Sequence, residues 1–155
     1  MKTPSHQQVC WWLFFLGKEF KMFVKIDYKE LSARQKEIYN FQKVAAVLAD
    51  YGYNCIKLAD DWQGADFLAY HKDGSNTLKV QLKGRVTIDK KYIGKRLWVA
   101  FPISDHWYLV EHSVLLACVE ETTNWLQTPS WVEKHAYSAK SPSKKLLERL
   151  GEYKL

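Results

Sequence analysis

The spacing of apolar residues between Leu31 and Gly52 is that of an amphipathic helix. Apolar residues recur there at intervals of three and four and form one stripe: Ile38, Phe41, Val44, Ala45 and Leu48. Ser32, with Gln35 three residues later, makes a capping box at the start of this segment. Gly52 is a typical residue for ending a helix. The pattern therefore predicts one helix, with an apolar face that packs on a core.

The next clear pattern is a pair of strands, Ala65–His71 and Thr77–Arg85, joined by a turn rich in Asp, Gly, Ser and Asn. Side chains on a strand alternate between its two faces. In the second strand, Leu78, Val80 and Leu82 therefore share an apolar face, while Gln81 and Lys83 share the other. If the two strands pair antiparallel, Asp66 lies close to the face that carries Gln81 and Lys83.

Shorter patterns complete the outline of the chain. They predict three more strands, Tyr53–Leu58, Leu97–Phe101 and Trp107–Val110, and two more helices, Ser113–Glu121 and the segment from Ser141 to Gly151. Thr128–Ala139 is irregular and is interpreted as a linker or a binding loop. The order of elements is a helix, three strands, a basic connection, a strand and a helix. It predicts an α+β fold.

Asp66, Gln81 and Lys83 together resemble the motif of the PD-(D/E)XK nuclease superfamily, the restriction-endonuclease-like fold. That motif has an Asp at the start of one strand, then an acidic residue or Gln, one spacer and Lys on the next strand. The resemblance covers residues 32–102. Ala65 stands where Pro is common, and Gln81 stands where Glu or Asp is usual. The resemblance implies a core of helix, mixed β-sheet and helix, with a basic hairpin and a C-terminal helix added.

Glu37 is unusual because it projects into the apolar face of the first helix, between Phe41 and Val44. A carboxylate there costs free energy unless it is paired, ligates a metal or reaches solvent. One explanation is a favourable acidic residue in the first turn, beside the positive end of the helix. The resemblance implies another, because the corresponding helix often contributes a Glu to the metal site. With the resemblance added, Glu37 is assigned to the candidate site.

The resemblance also implies a divalent cation, Mg²⁺ or Mn²⁺, bound by oxygen atoms. Asp66, Glu37 and the Gln81 carbonyl are the expected ligands, and the Val80 carbonyl or water completes the shell. The cation would lower the pKa of a bound water. Lys83 would orient or help deprotonate that water and stabilise the charge that develops. Asp66, Gln81, Lys83 and Glu37 are therefore the predicted catalytic residues.

The charge of the chain is compatible with a nucleic-acid partner. Its net charge is +6 and its pI is about 9.1, which suits a polyanion, although many small proteins are basic for other reasons. Cations cluster directly after the motif, where a phosphodiester substrate would have to be held: Arg85, Lys90, Lys91, Lys95 and Arg96. A solvated basic face is the simpler alternative. We expect these residues to contact double-stranded DNA.

The N-terminal segment, residues 1–21, is interpreted as an aromatic extension of a single nuclease-like domain that spans residues 1–155. Its apolar run, residues 9–16, is far short of the roughly 20 residues that cross a membrane. A buried strand or an aromatic contact between subunits, a secretion signal, and a translation start at Met22 remain alternatives. Three widely spaced cysteines without a CxxC pair indicate a reducing cytoplasm.

The resulting hypothesis is a metal-dependent, site-specific DNA endonuclease of the homing, restriction or junction-resolving type, with homing as the first choice. One such core cuts one strand, so cutting both strands implies at least a homodimer. Two other classes remain open. One is a nuclease-fold protein that binds nucleic acid without cutting it, and the other is a protein-interaction module that uses exposed aromatic residues. Plasmid nicking and salt-sensitive DNA binding distinguish the three.

Overall fold

The computed structural model describes residues 23–155. The chain divides into two units, with the boundary between Leu31 and Ser32. Of the first unit, residues 23–31 are described. They end in a 3₁₀ turn, Tyr28–Glu30, that is capped by the Asp27 carboxylate, which accepts a hydrogen bond from the Lys29 N–H at 2.9 Å. The apolar run at 9–16 lies outside the described residues, and the single-domain assignment stays a prediction.

Residues 32–155 are all described and form seven strands and four α-helices. The strands are β1 (Tyr53–Trp62), β2 (Ala65–His71), β3 (Thr77–Leu82), β4 (Val86–Asp89), β5 (Trp98–Ile103), β6 (His106–Glu111) and β7 (Ala136–Ala139). The helices are α1 (Ala33–Asp50), α2 (His112–Thr122), α3 (Pro129–Val132) and α4 (Lys144–Arg149). Short 3₁₀ turns lie between several of these elements, among them Lys90–Tyr92 after β4.

The main sheet has five strands in the order β1-β2-β3-β5-β6. Neighbouring strands pair antiparallel except β3 and β5, which are parallel. Antiparallel neighbours can be joined by tight turns, whereas a parallel pair needs a longer crossover, and the chain between β3 and β5 supplies one. The structure confirms the α+β class and the mixed sheet expected from the sequence.

Helix α1 covers one face of the sheet. Its capping box is present, because the Ser32 side chain accepts from the Gln35 N–H and the Gln35 side chain accepts from the Ser32 N–H. Val44 and Leu48 are buried against Phe67, Leu78 and other apolar residues of β2 and β3. The assignment of Ile38 to the core stripe is wrong, since 40% of this residue is exposed. The buried residues of α1 are Asn40, Val44 and Leu48, with Phe41 partly buried beside them.

The basic segment after β3 pairs with a distant part of the chain. Strand β4 pairs antiparallel with β7, with Val86 opposite Ala139, so the segment does not fold back on itself as a hairpin. The stretch 128–139 is correspondingly ordered into α3 and β7, where the sequence alone suggested an irregular loop. Strand β3 also ends at Leu82, three residues before the predicted end. This early end releases Lys83 from the regular strand.

A second group of buried apolar residues lies between β5, β6, α2 and α4. It includes Phe101, Val110, Leu115 and Leu146, and the indole rings of Trp125 and Trp131 pack with it. This cluster fixes the C-terminal helix, which begins at a Ser143 cap, two residues later than the predicted start. Among residues 23–155 no helix is long and apolar enough to cross a membrane.

Candidate active site

The candidate site begins where β2 and β3 lie side by side. Phe67 pairs with Val80, so the next residues outward on the two strands are Asp66 and Gln81. The Asp66 carboxylate accepts hydrogen bonds from the Leu82 N–H at 2.8 Å and from the Gln81 side-chain amide. The predicted proximity of Asp66 and Gln81 is therefore present, and it follows from antiparallel pairing across a short turn.

Gln81 is held in one orientation by contacts at both ends of its carboxamide. Its Oε1 accepts a hydrogen bond from the Tyr92 hydroxyl at 2.9 Å, and its Nε2 donates to Asp66 and to the Leu82 carbonyl at 3.3 Å. The side chain is only 7% exposed. In this arrangement the amide N–H group faces Asp66. The carbonyl oxygen would face a metal at Asp66 only after the carboxamide had turned over.

Tyr92 is a central member of the site that sequence reasoning missed. It is 2% exposed, and its ring packs closely on the β1–β2 turn, where an added Cβ at Gly64 would lie 3.2 Å from Tyr92 Cε1. Two ammonium groups lie over the ring, Lys91 Nζ at 4.9 Å and Lys83 Nζ at 5.5 Å from its centre. In the sequence, Tyr92 is a single aromatic residue between cations. That pattern is also typical of an exposed loop, so it did not indicate a buried site residue.

Lys83 follows the last residue of β3 and remains tied to the sheet by its backbone. Its N–H donates to the Ala100 carbonyl at 2.9 Å. Burial lowers the pKa of the Lys83 ammonium, and the nearby Lys91 lowers it further, while Asp66 opposes the change. No salt bridge within the described part of the chain includes Lys83. Its ammonium lies over the Tyr92 ring and has no carboxylate partner in these salt bridges, so an anionic substrate can pair with it.

Glu37 lies close enough to Asp66 to influence its ionisation, but it is already paired. Its carboxylate forms salt bridges with Lys57 and, at 3.1 Å, with Arg34. The hydrogen bond from Lys57 is the main reason that the pKa of Glu37 lies below its ordinary value. Lys57 was not predicted as a site residue. The sequence could have indicated it by position: Lys57 comes two residues after Cys55 on β1, and strand alternation puts both on the face that packs on α1.

Asp66 has an environment that disfavours its charge. Burial raises the pKa of the Asp66 carboxyl, and the negative charge of Glu37 adds to the rise. The Leu82 N–H and the ammonium groups of Lys83 and Lys57 act in the opposite direction. A carboxyl group destabilised as an anion in this way is suited to binding a cation.

The donor atoms of the site are of the kind that a hard divalent cation prefers. Asp66 and Glu37 provide carboxylate oxygens and Gln81 an amide oxygen, and oxygen is what Mg²⁺ and Mn²⁺ prefer. No cluster of three or more His, Cys, Asp or Glu side chains with metal-binding geometry occurs among the described residues. Val80 lies within the sheet, paired with Phe67 and Trp98. The ligand roles of all four residues stay predictions.

The expected DNA-contacting cations lie along the chain between β3 and β5. Arg85 is exposed in the bend before β4, Lys90 and Lys91 belong to the 3₁₀ turn, and Lys95 and Arg96 are exposed before β5. Lys90 lies over the Trp131 ring at 5.4 Å, and Lys91 Nζ lies 3.7 Å from an Asp89 carboxylate oxygen. Lys91 also influences the pKa of Lys83, so the basic segment adjoins the site.

Comparison with known proteins gives similarity to solved nuclease structures. The chain is similar to Hjc, a Holliday junction resolvase of Archaeoglobus fulgidus, at 13% identity and a TM-score of 0.42, over 51% of this chain and 75% of that one. It is also similar to the bacterial homing endonuclease I-Ssp6803I, at 14% identity and a TM-score of 0.44, over 73% and 78%. No family model matches the chain, and no curated protein does.

These two solved structures are of kinds that the sequence resemblance named, a junction-resolving and a homing enzyme. Their identities and TM-scores are too low to assign an activity to this chain. The chemistry of the site is therefore argued from its own residues.

Proposed function

We propose that this chain is a divalent-metal-dependent endonuclease that hydrolyses phosphodiester bonds in double-stranded DNA. The observation that supports this function is the meeting of Asp66, Gln81 and Glu37 near the ends of β2, β3 and α1, with Lys83 beside them. Carboxylates, an amide and one available ammonium in this arrangement are the groups that metal-assisted phosphate hydrolysis uses.

Each residue has a distinct role in the proposal. Asp66 and Glu37 would hold the cation, together with the Gln81 carbonyl once its amide has turned. Bound Mg²⁺ would supply charge neutralisation and a lower pKa for a water molecule. Lys83 Nζ would contact the scissile phosphate or the attacking water. Because burial and Lys91 lower its pKa, Lys83 gives up a proton more readily than an exposed lysine and can help deprotonate that water.

The basic segment and a second copy of the chain complete the proposal. Arg85, Lys90, Lys91, Lys95 and Arg96 would neutralise phosphates on either side of the cut. One site cuts one strand, so two copies would cut both. The three finer types would differ in substrate. A homing enzyme would cut a long duplex site, a restriction enzyme a short duplex site, and a junction-resolving enzyme a four-way junction.

The experiment that tests this function is cleavage of a plasmid library that carries randomised inserts. The protein is incubated with the library in Mg²⁺ or in EDTA, and the new DNA ends are sequenced. The proposal expects ends at a defined sequence in Mg²⁺ and none in EDTA. A four-way junction assayed in parallel covers the junction-resolving type. Absence of metal-dependent cutting on both substrates would contradict the proposal.

One observation favours a second candidate, a nuclease-fold protein that binds DNA without cutting it. Lys57 already neutralises Glu37, and the Gln81 amide already satisfies Asp66, so the carboxylates have partners without a metal. In that case DNA binding would be salt-dependent, and neither Mg²⁺ nor Mn²⁺ would change the DNA. The library experiment, combined with a gel-shift assay, separates the two candidates.

A further inference from the structure

Lys57 forms a salt bridge with the Glu37 carboxylate, which the metal would need as a ligand. Its ammonium donates to Glu37 Oε1 from β1, while Arg34, three residues before Glu37 on α1, donates to both oxygens of the same carboxylate. Lys57 also lies beside Asp66, because β1 pairs with β2 at this point of the sheet. Lys57 is thus a cation placed near both proposed acidic ligands.

The fold holds Lys57 in this place. On β1 the residue pairs with Phe67 of β2, the immediate neighbour of Asp66. Its ammonium lies 5.5 Å from the centre of the Phe41 ring, and Phe41 packs edge-on against Phe67. The side chain is 25% exposed, so its stem is largely enclosed between α1 and the sheet. This enclosure and the salt bridge place the Lys57 charge beside Glu37.

We propose that Lys57 is an internal competitor of the metal: its ammonium neutralises Glu37 and opposes a divalent cation at Asp66, so that the site binds metal weakly until DNA arrives. This inference rests on the proposed function. The physical reason is that one positive charge within a few ångströms lowers the affinity of a carboxylate for any other cation, including a proton. Phosphate oxygens of bound DNA would add negative charge and shift the balance toward the metal.

The test measures metal affinity without DNA, by calorimetric titration of the full chain with Mn²⁺. Lys57→Met keeps the apolar stem and removes the charge, and we expect about tenfold tighter binding. Lys57→Arg keeps the charge and is expected to bind Mn²⁺ as the wild type does. Lys43→Met is the matched control, because it removes one charge from the exposed surface of α1, where Lys43 lies over Tyr39. It should leave the affinity unchanged.

Several results would overturn the inference. Lys57→Met could bind Mn²⁺ as the wild type does or more weakly, or Lys57→Arg could bind as tightly as Lys57→Met. Lys57→Gln repeats the test if the Met variant does not fold, as judged by its thermal melt. Asp66→Asn separates this inference from the proposed function. If Lys57→Met and the double variant Lys57→Met with Asp66→Asn give the same Mn²⁺ titration, the metal site itself is refuted. If only Asp66→Asn loses binding and Lys57→Met is unchanged, Lys57 alone is misassigned.

Discussion

At the scale of single residues, the site is a balance of opposed charges in a partly buried space. The charge of Asp66 is disfavoured, because burial and Glu37 both raise its pKa. Gln81 is neutral and can present either a donor or an acceptor to it, since a carboxamide has both. Tyr92 can match either orientation, because a hydroxyl both donates and accepts. These properties lead to two predictions about individual side chains.

The first prediction concerns the ionisation of Asp66 in the metal-free protein. Glu37→Gln removes a nearby negative charge and leaves Lys57 without its partner, and both changes favour the Asp66 anion. We expect the pKa of Asp66 to be lower in this variant than in the wild type. Carboxyl ¹³C NMR across a pH titration in EDTA measures it, and an equal or higher pKa would show that the two carboxylates do not interact.

The same shift has a consequence for stability. A carboxyl group with a raised pKa in the folded state stabilises the fold most at low pH, and that contribution is lost as pH rises from the ordinary value of 3.8 through the folded value. Over this pH range the wild type should therefore lose more of its free energy of unfolding than Asp66→Asn, in which residue 66 cannot ionise. Urea unfolding at several pH values provides the comparison.

The second prediction concerns Gln81→Glu. The substitution replaces the amide that donates to Asp66 with a second carboxylate, so two like charges face each other in a partly buried place. We expect a lower melting temperature in EDTA and a larger increase on adding Mg²⁺ than the wild type shows. Thermal melts of both proteins in each condition test this. Equal Mg²⁺-induced increases would remove residue 81 from the metal site.

At the scale of elements, the β1–β2 turn and the 3₁₀ turn Lys90–Tyr92 support the site together. The β1–β2 turn has two residues with positive φ, Gln63 at 57° and Gly64 at 91°. Gly64 lies under the Tyr92 ring, and Asp66 follows two residues later. The Asp89 side chain caps the 3₁₀ turn by accepting from the Lys91 N–H at 3.0 Å. The two turns therefore fix the positions of Tyr92 and Asp66 together.

Gly64→Ala should be more damaging than the same change at another turn. At Gly64 an added methyl meets both an unfavourable φ of 91° and the Tyr92 ring at 3.2 Å. At Gly74 the φ of 75° is also unfavourable, but no atom lies within 4 Å. We expect Gly74→Ala to cost about 1 kcal/mol and Gly64→Ala about 2–3 kcal/mol of unfolding free energy. Equal costs in chemical denaturation would mean that the Tyr92 contact contributes nothing.

How far the sequence could predict these elements depends on the distance over which contacts form. The pairing of Asp66 with Gln81 was predictable, because one short turn joins β2 to β3 and alternation fixes the faces. Tyr92 was not, because its position depends on the pairing of β4 with β7, about fifty residues along the chain. Lys57 was missed because its partner, Glu37, lies on another element. Ile38 was misassigned because the buried face of α1 includes the polar Asn40, which an apolar stripe does not indicate.

At the scale of the whole molecule, the question is where DNA would lie. Lys95 and Arg96 are exposed, and no salt bridge of the described residues includes them. Lys90 and Lys91 instead have local partners in Trp131, Asp89 and Tyr92. Lys95 and Arg96, like the exposed Arg85, are therefore cations of the basic segment that a phosphate can approach without displacing a local partner.

Replacing Lys95 and Arg96 together by Ala should weaken DNA binding and its dependence on salt. Each lost phosphate contact reduces the slope of log affinity against log salt by about 0.9, so the pair should reduce it by roughly 2. The matched control is Lys144→Ala with Lys145→Ala on α4, which removes the same charge elsewhere. Fluorescence anisotropy at several salt concentrations gives the slopes. A larger effect of the α4 pair would place DNA on the C-terminal helix.

The most direct test of the central claim is Mg²⁺-dependent cutting of a DNA substrate selected from the library, by wild type and three variants. Asp66→Asn and Lys83→Met should each abolish cutting and leave duplex binding largely intact, because both act at the scissile phosphate. Lys79→Met is the matched control, because Lys79 lies on β3, a few residues before Lys83 in the chain, but contacts Gln63 and Trp62. It should cut at close to the wild-type rate. Cutting by Asp66→Asn or Lys83→Met at the wild-type rate would contradict the assignment of this site.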